Sequence, residues 1–429
     1  MTSAPNASSS SAGRMFVWGG FALLMLLAPM AVSGSLALSI LSQIGIAIVA
    51  CLSYNILLGQ GGMLSFGHAV YTGLASFVAI HALNQAGQGG LPMPVSLIPL
   101  VGGLAGAAFA ILLGFVTTRK AGTPFAMITL GIAELVFAMA LMVPEFFGGE
   151  GGVSGNRTAG KPFMGITFGP PIQVYYLLAI YAFVCTAAMF AFTRTPLGRM
   201  LNAVRDNPER VEFVGYSTQR VRYLSFIIAG FFAGVSGGMY ALHFEIATAE
   251  VVGAARSGAY LLFTFLGGAT FFFGPIIGAV LMVLAGVLLS ELTKAWLLYL
   301  GLVFLLMVMY APGGVASLIM MNVRVAVFGR LRELLPTYAG LAGALGVTLL
   351  GAGAVVEMIY HLQLNDTAGP ELGYLGLQLS VGSALHWLAA VAVLAAGVGL
   401  LEVLRRPCAR RWAAIQQDIE AAVRRREGA

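Results

Sequence analysis

Glu134 lies near the middle of an apolar run, residues 123–143. An ionised acid at that depth costs about 2.5–3.5 kcal/mol on insertion scales, so its side chain must face protein or water. Two kinds of chemistry suit it: a pathway residue or proton relay, or a hydrogen-bonding tie between helices. A second polar stretch, Asn55, Gln60, Ser65, His68 and Tyr71, runs through a segment loosened by Gly59, Gly61, Gly62 and Gly67. Such backbone is tolerated at membrane depth only where it is buried in protein or lines a cavity. These five residues and Glu134 are therefore candidates for the lining of a translocation path. The histidines His68, His81, His243, His361 and His386 are scattered over separate apolar runs, and Cys51, Cys185 and Cys408 lack metal-ligand spacing, so no metal site is expected. The sequence contains no phosphate-binding glycine loop, His-Glu-x-x-His motif, nucleophile elbow or paired-cysteine motif. No catalytic residue and no cofactor bound by this chain are expected, and the chain reads as something other than an enzyme.

The elements that must position these residues are membrane spans. Of 429 residues, 59% are hydrophobic and 9% charged, where a soluble domain carries about 25% charged residues. The mean hydropathy is +0.90, and apolar runs of span length recur along the chain. A disordered chain, a disulfide scaffold and a nucleic-acid-binding domain are disfavoured. Twelve candidate spans can be read: 16–32, 36–58, 64–83, 95–117, 123–143, 173–192, 223–243, 258–272, 275–290, 296–310, 338–360 and 383–404. The eighth and ninth are short, and one or both could be broken or re-entrant. With the N-terminus inside, the cytoplasmic segments hold 19 of the 23 Lys and Arg residues, leaving Arg157, Lys161, Arg256 and Lys294 outside. Both termini are then cytoplasmic. Small residues at four-residue spacing, Gly102 with Gly106, Gly230 with Gly234 and Gly238, and Gly274 with Gly278, predict tight helix packing.

Two connections are long. Residues 144–172 make an outward segment rich in Gly and Pro, either a functional or mobile loop or a plain connector. Segment 193–222 carries six arginines. Pro196 suits the first turn of a short helix with an apolar face of Leu197, Met200, Leu201 and Val204. Asn207, Pro208 and Glu209 read as the cap and acidic first turn of a second helix, and Gly215 as its stop. Two capped amphipathic helices on the cytoplasmic face suit a docking site for a cytosolic partner. The plainer alternative is a basic loop packed on lipid headgroups.

These residues resemble a known family, the LivM-type permease subunits of branched-chain amino acid ABC importers. The resemblance is carried by Asn55 to Ala69, Phe125 to Glu134, the Gly148 to Asn156 loop, Arg205-Asp206-Asn207 with Gly215-Tyr216, Phe273 to Gly278, and Tyr310 to Gly314. It runs from about residue 35 to residue 320. It implies an all-α polytopic transmembrane bundle of about 10–12 spans, of the branched-chain amino acid/ribose permease type, in the bacterial inner membrane. It also implies a second, homologous permease subunit, two cytosolic ATP-binding subunits that hydrolyse the ATP, and a periplasmic substrate-binding protein. Arg199, Arg205, Asp206, Asn207, Glu209 and Gly215 would then belong to a loop that couples the permease to the ATPase.

The division expected is a disordered head (1–15), a permease domain (16–320), an extra region with two spans (321–404) and a basic tail (405–429). Ile415, Ile419 and Val423 in the tail read as an amphipathic face suited to membrane lipid. The function expected is import of branched-chain or related small amino acids. A urea or amide permease shares most of these motifs, and a proton-coupled secondary transporter using Glu134 is the alternative from another class.

Overall fold

Inside hydrocarbon every backbone N–H and C=O must be paired within the chain, and this chain answers almost entirely with helices. The computed structural model describes residues 7–31, 34–90, 92–159, 167–364 and 371–427. The helices, in order, are α1 (Ala7–Ala31), α2 (Ser35–Asn55, continued by a π-turn over Ile56–Gln60), α3 (His68–Gly87), α4 (Ile98–Thr117), α5 (Thr123–Met142) and α6 (Pro144–Phe147). They continue with α7 (Pro171–Arg194), α8 (Pro196–Asp206), α9 (Pro208–Phe213), α10 (Thr218–Phe244), α11 (Ala254–Gly267) and α12 (Gly274–Leu284). The remainder are α13 (Ser290–Leu292), α14 (Trp296–Tyr310), α15 (Gly314–Val327), α16 (Leu331–Leu364) and α17 (Ala384–Glu427). Two small antiparallel pairs accompany them: β1 (Val153–Ser154) with β2 (Ile246–Ala247), and β3 (Glu371–Tyr374) with β4 (Leu377–Ser380).

Fewer than twelve of the described helices have the length and hydropathy of a full span. Among the described residues eight helices are long and apolar enough to cross a membrane, or nine if α14 and α15, bent by 52°, count as one span. In α1 the apolar part covers only Met15–Ala31. Helix α3 sits in the middle of the bundle with most of its residues buried by protein, so it can carry His68, Thr72, Ser76 and His81 in place of lipid-facing apolar residues. Helix α11, read as the span 258–272, is 14 residues long and stops at Gly268, whose φ is +113°. The head read as disordered is helical from Ala7; residues 1–6 lie outside the described residues.

The chain divides into two compact units, Met1–Val287 with Leu306–Ala316, and Leu288–Leu305 with Ser317–Ala429. The first is organised around α10, which packs on α2, α3 and α4. Its seam with α4 pairs the two glycine rows read from the sequence: a Cβ on Gly106 would collide with the Gly230 carbonyl, and one on Gly102 would sit 2.9 Å from Gly238 Cα. Backbones approach this closely only where neither helix carries side chains. The third pair behaves likewise, Gly274 and Gly278 meeting Gly267 and Phe263 of α11.

In the second unit α16 and α17 form an antiparallel pair joined by the β3–β4 hairpin. The hairpin turns on Leu375 and Gly376 at φ +49° and +83°, the sign that a tight two-residue connection demands. Ile415 and Ile419 of α17 are buried against Val325 and Leu334, and Arg330 pairs with Asp418 at 3.1 Å. The apolar face read as a lipid-binding tail is thus covered by protein up to Ile419, and the side chain of Val423 lies outside what the structure describes.

Candidate functional site

The expected path residues separate into three places. Ser65, His68 and Tyr71 form a buried knot at the start of α3. Tyr54 donates to the Ser65 carbonyl at 3.0 Å, and the Ser65 hydroxyl accepts from Gly67 N at 3.3 Å. The Ser53 hydroxyl donates to the Ala50 carbonyl at 2.7 Å, so at 2.9 Å its oxygen accepts the Nε2 proton of His68. His68 Nδ1 then has no hydrogen-bond partner among the described residues, and neither has Asn55 Oδ1. Tyr71 is buried edge-on against Phe226, with ring centroids 5.2 Å apart. The knot is pinned from outside by Phe66 N donating to Thr129 Oγ1 at 3.1 Å and Ala69 N donating to Ser257 Oγ at 2.9 Å.

Gln60 belongs elsewhere. It closes the π-turn, a distortion that often marks a working site, and its Oε1 accepts from Asn202 Nδ2 of α8 at 2.9 Å. Arg205 of α8 donates through Nη1 to the Gly59 carbonyl and pairs with Asp206 at 2.9 Å. Gly62 lies at φ +63°, and its missing Cβ leaves the room that the Arg205 stem fills, 2.8 Å away. Both residues therefore staple α8 to the end of α2, and Arg205 is partly spent on its own chain.

The remainder of the 193–222 segment follows its local chemistry. Thr195 Oγ1 accepts from Gly198 N at 3.1 Å and Asn207 Oδ1 accepts from Arg210 N at 3.0 Å, capping α8 and α9 in turn. Leu201 and Val204 are buried, with Leu197 and Met200 packed beside them. Gly215 stops α9 at φ +91°. Arg199, Asp206 and Glu209 are exposed. So, unforeseen, are Phe213 at 89%, Val214 at 74% and Tyr216 at 51%. Their signal was available: three large apolar side chains follow the polar turn that opens α9.

Glu134 stands apart on α5. Phe125, Ala126, Thr129, Ala133, Val136 and Ala140 turn inward, while Met127, Gly131, Glu134, Leu135 and Ala138 are exposed along the other face. Nothing lies within 4 Å of a Cβ placed on Gly131. Away from both, Thr72, Ser76, Ser236, Tyr240, Arg256 and Tyr260 border a polar cavity of about 10 Å³, room for a single water. None of the six expected path residues borders it.

The outward glycine-rich loop is strapped down where it is described. Val153–Ser154 pairs with Ile246–Ala247. Glu245, at φ +56°, accepts Arg157 N on Oε1 at 2.8 Å, and Arg157 Nη1 pairs with its Oε2 at 3.4 Å. The same guanidinium donates from Nε to the Phe168 carbonyl at 2.9 Å. Lys161 lies outside the described residues. Arg157 and Arg256 are two of the four basic residues that the charge count left outside, and each has this specific local use.

A family model described as branched-chain amino acid transport system / permease component matches residues 36–312. Over 290 residues the chain is 28% identical to the high-affinity branched-chain amino acid transport system permease protein LivM of Escherichia coli (strain K12). It is equally similar to the LivM protein of Salmonella typhimurium; in each case the alignment covers 63% of this chain and 67% of the relative. A shorter stretch of 75 residues is 36% identical to the nucleoside ABC transporter permease protein NupB of Lactococcus lactis subsp. cremoris, covering 18% of this chain and 20% of that one. No solved structure matches the chain.

Proposed function

The chain belongs to the family of branched-chain amino acid transport system permease components, and from that premise we propose that it is the membrane subunit of an ATP-driven importer. Its cargo is a branched-chain or related small amino acid. A homologous second permease, two cytosolic ATP-binding subunits and an external substrate-binding protein complete the assembly. The arginine asymmetry supports cytoplasmic termini and a cytoplasmic α8–α9 segment.

The observation that carries this reading is the α8–α9 segment itself. Its inner face is sealed into the bundle and its joint with α2 is locked by Arg205 and Gln60. It still presents Asp206, Glu209, Phe213, Val214 and Tyr216 to the outside. A bare lipid-facing loop has no use for that combination of acids and an apolar tip, whereas a groove on an ATPase does. Asn207 and Gly215 shape the segment, and Arg205 passes its displacement into the π-turn of α2.

Glu134 supports the position of the path. An intramembrane carboxylate on the outer face of α5 must be covered by protein or water, so the second permease subunit packs along α5 and the solute passes between the two. Specificity then rests largely on the external binding protein. The similarity to a nucleoside permease favours a nucleoside as the second candidate cargo.

Affinity purification of the tagged full chain tests the assembly. A second permease and two ATPases are expected to co-purify, with the ATPases lost on Phe213→Asp. Proteoliposomes of the complete assembly are expected to take up labelled leucine in an ATP-dependent way, with nucleosides as the competing cargo. Uptake by the chain alone, driven by a proton gradient, would overturn the reading.

A further inference from the structure

Arg194 ends α7, and Pro196, Arg199, Met200 and Ala203 recur along one stripe of α8 at i, i+3, i+4 and i+7. Together these five residues line an open pocket of about 410 Å³ in the angle between the two helices. The stripe borders the face that holds α8 to the bundle, where Leu201 and Val204 are buried, and shares Met200 with it. It is distinct from the exposed residues Phe213 and Tyr216. The walls are largely apolar. The charged groups on them are two guanidiniums, and neither takes part in an ion pair among the described residues.

Depth follows from the helix that leads into the cavity. Pro171–Arg194 is long and apolar enough to cross a membrane, so its last residue stands where hydrocarbon gives way to headgroups. The Arg194 guanidinium lies 4.3 Å over the Phe190 ring. Phe190 in turn packs edge-on against Trp18 at 5.4 Å and Phe272 at 5.1 Å. A Trp ring packed close beneath a basic residue suits a membrane–water boundary. A cavity at that level with apolar walls and two unneutralised cations calls for an amphiphile carrying one negative group.

We propose that the angle between α7 and α8 is a binding site for the headgroup of an anionic phospholipid, with its phosphodiester between Arg194 and Arg199 and its glycerol and upper acyl carbons against Met200, Ala203 and Pro196. The lipid holds α8 against the end of α7, and its exchange for a zwitterionic lipid loosens that angle. The site stands independently of which solute the protein carries.

The test uses the full chain with whatever subunits co-purify, held in mixed micelles containing equal amounts of phosphatidylglycerol and phosphatidylcholine. Lipid retained after washing is counted by mass spectrometry. Wild type is expected to retain phosphatidylglycerol preferentially. Removing both charges, Arg194→Gln with Arg199→Gln, is expected to cut that preference about 25-fold, roughly five-fold per arginine. The charge-keeping pair Arg194→Lys with Arg199→Lys retains most of it and guards against a folding artefact. Lys120→Gln with Arg220→Gln, an equal loss of charge elsewhere, is expected to change nothing. Three results would overturn the site: the control pair losing as much as the test pair, inorganic phosphate displacing the lipid at equal concentration, or the test pair shedding ATPase subunits with lipid retention intact.

Discussion

Glu134 places an acidic side chain on a helix face that its own chain leaves bare, and the consequence can be measured. Glu134→Leu removes an insertion cost of about 2.5–3.5 kcal/mol, so the amount of protein in the membrane should hold or rise. ATP-driven uptake in the complete assembly should fall at least about tenfold, a transition-state cost of about 1.4 kcal/mol. Unchanged uptake in that variant would reduce Glu134 to a packing tie. Gly62 makes the opposite kind of demand, because its φ of +63° and the Arg205 stem beside it leave no place for a side chain. Gly62→Ala should cost about 1–2 kcal/mol of stability, read as a lower midpoint in thermal melts of the purified chain. Neither the strain at Gly62 nor the partner of Gln60 was legible beforehand, because each depends on α8, more than 130 residues further along the chain. The polarity of Asn55, Ser65 and His68 was legible. Their close burial was not, because hydropathy alone does not place residues from separate segments side by side.

Among the elements, α8 and α9 were the most readable, since caps, prolines and an apolar stripe are all local signals. Asn207→Ala should destabilise the segment by about 1 kcal/mol, seen as faster backbone hydrogen exchange over residues 208–213. Phe213→Ala should leave that exchange alone, because the side chain is 89% exposed, yet weaken retention of the ATPases. Helix α5 offers a sharper contrast. Gly131→Leu meets open space within this chain, so it should leave the melting of the isolated chain unchanged while reducing co-purification of the second permease. Helix α11 was read as a short span over 258–272, broken or re-entrant being open; its apolar run continues past the point where Gly268, at φ +113°, ends the helix. The glycine rows of α4 and α10 were seen singly. That they face each other is a fact of tertiary structure that spacing does not encode.

At the scale of the molecule, the family match ends at residue 312, close to Ala316, where the first compact unit ends. The second unit has its own internal ties. Thr293 and Tyr299 both donate to Glu357 Oε1, the latter at 3.4 Å, and no sequence motif announced that carboxylate. Glu357→Ala should free the stretch around the exposed Lys294 and raise tryptic cleavage there, while retention of the ATPases, which we assign to the α8–α9 segment, should stay unchanged. Charge asymmetry and apolar runs were enough to read a polytopic helical protein. The number of full spans was not readable that way, because runs such as 64–83 and 258–272 are apolar without being lipid-exposed helices of full length.

Helix α10 has a mechanical consequence. It is a single rod of 27 residues, tied at Thr218 to Glu212 of the α9 segment by a 2.7 Å hydrogen bond and ending beside Glu245, which grips Arg157 of the opposite loop. Near Gly234 it bears on α4 through bare backbone, the nearest thing in the molecule to a fulcrum. At 1.5 Å per residue the two arms measure ~24 Å and ~15 Å. A tilt about that bearing makes α10 a lever of the first kind, with the longer arm at the α9 end. A rigid tilt about that bearing would carry the Arg157 end about three-fifths as far as the α9 end.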